Sequence, residues 1–252
     1  MLRNPGSQAQ AKAQPQGHSQ GARDDDAFAS SWAGYTTFSF PDASCISENG
    51  RQPLMDAMNR IIAVNWKATE PHWTTTSSPF DGKYGVILVY DGSELAAFSV
   101  YRMLRVAGSL AIYRSGTEVL PAYQGRGLYG FFTSEILKRS VPGRGEAGIL
   151  YGWRTRNPIV WAANAKICEK VVPSLLVERR DPALQAACIE MCASLYPGKQ
   201  LEVPGMIMRG AYGHIKHHPQ AYRGTASLVD AAMSRLIPDS ADALFSVGYA
   251  TA

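Results

Sequence analysis

The sequence predicts an α/β fold in which a mixed, largely antiparallel sheet is flanked by helices, and three observations carry that expectation. Residues 84–90, 95–104 and 110–119 are successive β-rich runs with no helical period between them. Asp91-Gly92 and Ala107-Gly108 separate these runs, and such dipeptides turn one strand back on the next. After Val119 the pattern changes to helix, strand, helix, over residues 128–137, 148–153 and 157–170.

Taken in order, residues 1–26 are Gln, Gly, Ala, Ser and Pro with scattered charges, too poor in apolar surface to offset the entropy of ordering, and a disordered tail is expected. Order is expected to begin near residues 28–32, followed by a short strand over 35–40 that Pro41 ends. Leu54, Met58, Ile61, Ile62 and Trp66 recur at three- and four-residue steps and predict a helix over 52–66. Beyond the three central strands, Leu128, Phe131, Phe132, Ile136 and Leu137 keep helical spacing until Pro142-Gly143. Asn157 and Pro158 read as the cap and first turn of the helix over 157–170. Further on, strands are expected at 175–177, 206–208 and 243–249, and helices at 182–195 and 226–236. The domain is therefore expected to run over 27–252, with a C-terminal extension from about residue 178.

Composition narrows the function classes. With 252 residues, 46% of them hydrophobic, the chain suffices for one packed core. The net charge of +4 is scattered rather than gathered into a basic block, which suits a small anionic ligand and argues against nucleic acid. No apolar stretch reaches the ~18 residues of a membrane span, so no membrane partner is expected. Cys45, Cys168, Cys188 and Cys192 are unevenly spaced with no secretory signal before them, which predicts reduced thiols in a cytoplasmic protein. Cys188 and Cys192, four apart, are expected to pack on one helix face rather than bind metal. His214, His217 and His218 surround Lys216, whose charge would repel a cation, so a loop is expected there and no metal.

The segment Val119-Leu120-Pro121-Ala122-Tyr123-Gln124-Gly125-Arg126-Gly127-Leu128-Tyr129 stands at a strand-to-helix junction. The first N–H groups of a helix lack intrahelical partners and point toward whatever occupies that end, which makes an anion site. Glycines at 125 and 127 permit positive φ and close approach to oxygen atoms, and Arg126 adds a full positive charge. A diphosphate satisfies these groups better than a single carboxylate. Residues 125–130 also match G-x-G-x-x-G formally, but three antiparallel strands precede them, and a dinucleotide fold requires a βαβ unit.

Order and motif together resemble the GNAT superfamily of acyl-coenzyme A dependent N-acetyltransferases. The order is helix, hairpin, third strand, Gln-x-x-Gly turn, helix, strand, helix, and Gln124-Gly125-Arg126-Gly127 is similar to that family's coenzyme A signature. The resemblance covers about residues 84–170 and departs at Tyr129, where the family usually has Gly or Ala. It implies a GNAT-like fold and an enzyme that transfers an acetyl group from acetyl-coenzyme A, as cosubstrate, to an amine acceptor by direct attack. The acceptor is expected to be a small molecule, with a homodimer allowed; a non-catalytic acyl-coenzyme A binding module is the alternative.

By the same resemblance, Gln124, Gly125, Arg126, Gly127, Leu128, Tyr129 and Asn157 would contact the coenzyme, and Thr117 to Val119 would pair with its pantetheine arm. A backbone N–H near Val119 would polarise the thioester carbonyl. The amine must lose a proton, and the position where many relatives carry a Glu is Tyr113 here, so Tyr113 and the nearby Glu118 are the catalytic candidates, with Glu70 and His72 as further choices of base. Alternation directs Glu118 opposite to Thr117 and Val119. Many relatives place a Tyr in the later helix as acid for the leaving thiolate; here that residue is Asn164, leaving Tyr151, Tyr129 or water to supply the proton.

Overall fold

Two glycine turns set the register of the central strands. In a computed structural model, described over residues 28–140, 148–177, 181–212, 215–217 and 227–250, β4 (Gly85–Asp91) pairs antiparallel with β5 (Glu94–Val106). Asp91 faces Glu94, so the tight turn is Gly92-Ser93, one residue later than Asp91-Gly92 suggests; Gly92, with φ of 58°, supplies the left-handed conformation. Between β5 and β6 (Ser109–Val119) the turn is Ala107-Gly108, and φ values of 48° and 75° give the primed turn that matches strand twist.

The strands β1 (Phe28–Trp32), β2 (Tyr35–Phe40), β7 (Ile149–Thr155), β8 (Cys168–Val172), β9 (Leu201–Glu202), β10 (Ile207–Met208) and β12 (Ala243–Ala250) complete one sheet of ten strands. Its order is β1-β2-β4-β5-β6-β7-β12-β10-β9, with β8 also on β12. A separate pair joins β3 (Trp66–Ala68) to β11 (Ile215–His217). This is the mixed, largely antiparallel sheet the sequence predicts. The only parallel pairing among the described strands is β6 with β7.

Helices cover both faces. On one face α1 (Glu48–Asn65) buries Met55, Met58, Ile61 and Ile62 against Val86, Leu88, Phe98 and Val100. Farther along that face α4 (Pro182–Leu195) buries Leu184, Cys188, Met191 and Cys192 against Tyr113, Leu150, Phe245 and Val247, so the two cysteines pack as expected. On the opposite face α2 (Leu128–Ser140), α3 (Pro158–Lys166) and α5 (Ser227–Leu236) enclose Tyr101, Ile112, Tyr151 and Trp153.

Two expectations fail after β7. The helix expected over 157–170 stops at Lys166, and residues from Cys168 pair with β12 instead; no strand forms at 175–177, where Leu176 and Val177 are exposed. Tertiary pairing decides here over helical propensity. Gly248 makes the pairing possible: a Cβ on it would lie 2.6 Å from both Cys168 Sγ and the Lys170 carbonyl oxygen. Gly248→Ala is therefore expected to cost about 2 kcal/mol, the usual scale of an overpacked site, read as a lower midpoint in thermal unfolding. The sequence after residue 178 does not stand apart, since β12 is hydrogen-bonded along β7 from Leu244 to Ala250. The expected disordered tail, the Pro142-Gly143 stop, and His214 and His218 with the side chain of His217 lie outside the described residues.

Candidate active site

β6 and β7 run in register only from Ala111 opposite Leu150 to Arg114 opposite Trp153. Beyond that point β7 continues beside β12 while β6 continues beside β5 to Val119, so a wedge opens between them. Leu120 donates its N–H to the Ala96 carbonyl at 3.0 Å. With Val119 opposite Ala97 and Thr117 opposite Ser99, ladder alternation turns the N–H and C=O groups of Val119 and Thr117 away from β5 and into the wedge. These are the residues expected to pair with the pantetheine arm.

The glycine turn lies at the outer end of the wedge. Tyr123, closing a 3-10 turn over Pro121–Tyr123, donates its hydroxyl to Asp91 at 3.1 Å and Glu94 at 3.0 Å, which ties the turn to the β4–β5 hairpin. Gln124 Nε2 donates to the Val119 carbonyl at 3.1 Å. Gly125 and Gly127 have φ of 76° and 84°, and a Cβ at Gly125 would meet nothing within 4 Å, so the backbone face there is open. The first helical bond of α2 runs from the Phe131 N–H to the Gly127 carbonyl at 3.1 Å. Gly127, as the cap, has no side chain to answer the N–H groups of Leu128, Tyr129 and Gly130. Arg126 leans over the Tyr123 ring at 5.2 Å and donates to the Tyr35 hydroxyl at 3.0 Å, placing its charge beside the turn.

Glu118 points toward α1, opposite to Thr117, as alternation requires. Its carboxylate accepts from Asn65 Nδ2 at 2.7 Å and Trp66 Nε1 at 2.8 Å, at the end of α1 and the start of β3. Burial pushes its pKa up to about 7, against the lowering effect of those two donors. A carboxylate that changes protonation near neutrality is suited to accept a proton from an amine. Glu70 is exposed, and His72 packs edge-on against Trp73 at 4.8 Å.

Arg114 occupies the other face at the apex of the wedge and is 4% exposed. Its guanidinium lies 3.8 Å over the Tyr129 ring and donates to Thr117 Oγ1 at 2.8 Å, Thr133 Oγ1 at 2.6 Å and the Tyr151 hydroxyl at 3.4 Å. No carboxylate among the described residues pairs with it. Tyr129 donates its hydroxyl to Asn164 Oδ1 at 2.9 Å. Burial pushes Tyr129 up to about 12, with the Arg114 charge acting the other way, so the phenol is protonated at neutral pH. The Tyr129 hydroxyl of α2 thus reaches α3 at Asn164. Asn157 caps α3 by accepting through Oδ1 from the N–H groups of Ile159 at 2.9 Å and Val160 at 3.3 Å, so the cap does not use its Nδ2.

Tyr113 stands before the wedge rather than in it. Beside Gly152 of β7, it stacks on Phe245 with centroids 5.6 Å apart, and its hydroxyl is 2.6 Å from that of Tyr196. It belongs to a cluster of side chains on the Glu118 face with Arg102, Arg154, Tyr196 and Tyr212. Arg154 Cζ lies 4.9 Å from the Tyr196 ring centroid and 5.1 Å from that of Tyr212. Burial opposes its charge, and the phenols of Tyr196, Tyr113 and Tyr212 outweigh that effect and raise its pKa.

Fold and wedge together define an α/β chain whose mixed, largely antiparallel sheet splits between β6 and β7. Similar solved structures include a probable GNAT-family acetyltransferase from Chromobacterium violaceum, at 18% identity and TM-score 0.40, covering 71% of this chain and 92% of that one. Another is the ribosomal-protein-S18-alanine N-acetyltransferase of Escherichia coli, at 17% identity and TM-score 0.37, covering 79% and 89%. A third is Arabidopsis thaliana NAA60 in complex with acetyl-CoA, at 13% identity and TM-score 0.34, covering 47% and 81%. No family model and no curated protein matches the sequence.

Among the described residues no group of three or more His, Cys, Asp or Glu could hold a metal ion, and no helix is long and apolar enough to cross a membrane. A hollow of about 470 Å³ lined by Trp161, Cys168, Leu176, Val177 and Val229 shares no residue with the wedge.

Proposed function

We propose that the chain transfers an acetyl group from acetyl-coenzyme A to an amine, by direct attack in a ternary complex. The observation that carries this reading is the wedge itself: backbone N–H groups of Thr117 and Val119 turned away from β5 along one wall, an uncapped helix N-terminus at its outer end, and a carboxylate with raised pKa on one face. The diphosphate would sit on the N–H groups of residues 125–130, with the pantetheine arm as an added strand along β6.

The amine nitrogen attacks the thioester carbon from the Glu118 face, passing its proton to Glu118, while the N–H of Val119 meets the developing oxyanion. The carbon–sulfur bond then breaks. Its thiolate is met on the opposite face by the field of Arg114 and the hydroxyl of Tyr129, which favour negative charge there. A base on the acceptor face supports catalysis over a binding-only module. Neither Tyr113 nor Cys168 takes part in the proposed steps; burial pushes the Cys168 thiol up to about 12, away from a nucleophile's range.

Calorimetric titration with acetyl-coenzyme A tests the reading. Micromolar binding is expected, and Gly127→Val should weaken it at least about tenfold, because a β-branched residue resists the 84° φ at that position. Absence of binding by the native chain at millimolar ligand overturns the proposal.

A further inference from the structure

The wedge has two walls, and on the acceptor face each carries a charged residue beyond the last β6–β7 pair, one residue on in β7 and four residues on in β6. On β6 it is Glu118; on β7 it is Arg154, the residue after Trp153 and on the same sheet face as Gly152, whose neighbour across the strands is Tyr113. The rings of Trp66 and Tyr212 bridge the two: Trp66 donates to Glu118, its ring centroid is 5.3 Å from that of Tyr212, and Tyr212 carries Arg154 on its ring.

Arg154 is half-buried, and no carboxylate among the described residues forms an ion pair with it; its Nη1 donates weakly to Met208 Sδ at 3.9 Å. Burying a cation without a counter-charge is costly, and stacking on two phenol rings offsets only part of that cost. The guanidinium lies beside the Tyr196 and Tyr212 rings, which offer it no formal counter-charge, and its fork of N–H groups matches the two oxygens of a carboxylate. Arg102 of β5, opposite Tyr113 and 5.4 Å over the Tyr84 ring, with its Nε buried and unpartnered, adds a second positive charge on the same sheet face.

We infer that the acceptor is an amine that carries a carboxylate, as in an amino acid, with the carboxylate on Arg154 and the amino group delivered to Glu118. This rests on the acetyltransferase reading and names the substrate class of that site. The two charges then act as a ruler: the anionic end fixes the molecule, and the aromatic pair Trp66 and Tyr212 flanks its body.

The test uses the full chain, acetyl-coenzyme A and matched acceptors that differ in one group, each amino acid beside its carboxamide and its aminoalkyl phosphate counterpart. Coenzyme A release is the readout, with calorimetric titration of the coenzyme A complex for acceptors that are not turned over. The expected result is a kcat/KM at least about thirtyfold higher for the carboxylate than for the carboxamide, carried by KM. Arg154→Gln should abolish that preference, bringing kcat/KM for the carboxylate down to that for the carboxamide with acetyl-coenzyme A affinity as the control, and Arg154→Lys should restore part of it. Equal use of acid and amide, a preference for the phosphate, an Arg154→Gln effect shared by both acceptors, or no carboxylate acceptor bound at millimolar concentration would each overturn the inference. Failure to bind acetyl-coenzyme A at all would instead sink the acetyltransferase reading, so the two failures are told apart.

Discussion

Glu118→Gln is expected to lower kcat/KM for acetyl transfer by about 10²–10⁴-fold, the usual range for loss of a positioned base. The pH profile identifies the cause better than the magnitude does. With the Glu118 pKa raised to about 7, the carboxyl is protonated below that pH and free to accept a proton above it. For the native chain kcat/KM should therefore fall as pH drops through about 7, and in Glu118→Gln this limb should vanish. A limb that persists unchanged in the variant would assign the proton to another group. The same shift predicts a stability slope. A carboxyl whose pKa rises on folding from 4.5 to about 7 takes up a proton across that window, so native stability falls as pH climbs through it, and the substitution should flatten the slope.

That Glu118 and Tyr113 share one face of β6 was not legible in the sequence, and the reason is one residue. The resemblance places the family's Glu at Tyr113, and in an uninterrupted strand Tyr113 and Glu118 would face opposite sides. The β5–β6 ladder instead shifts register between Val100 opposite Gly116 and Tyr101 opposite Arg114, leaving Ser115 unpaired. A bulge reverses which side chains face which helix from that residue on, so Arg114 and Thr117 share one face and Tyr113 and Glu118 the other. Gly116 was the available sign, since glycine inside a strand often marks such a place.

The central hairpins, the turn, the Asn157 cap and the packing of Cys188 and Cys192 were readable because turn chemistry and periodicity act within a few residues. The partners that define the site act over far longer separations. Asn65 and Trp66 reach Glu118 across more than fifty positions, and Tyr129 meets Asn164 across 35. Arg114, within Ala111-Ile112-Tyr113-Arg114, is a charge inside a buried strand, which by composition alone marks it as unusual. Its hydroxyl partners on α2 and β7 could be found only once the fold was known.

Val119→Pro is expected to lower kcat by about 10²–10³-fold while acetyl-coenzyme A affinity changes less than about tenfold. The substitution deletes a single N–H. Because Val119 is turned away from β5, that N–H makes no ladder bond, and proline is tolerated at strand positions of this kind. The Leu120 to Ala96 bond on the β5 side stays available, so the strand keeps its pairing. Glu118, the residue before the new proline, is already extended, as that position requires. Ground-state binding depends mainly on the glycine turn and Thr117, whereas the thioester oxygen gains its negative charge only in the transition state, so the loss should fall on kcat. Val119→Ala keeps the N–H and should retain activity within about threefold. If Val119→Pro melts near the native temperature and turns over at the native rate, the oxyanion is stabilised by some group other than the Val119 N–H.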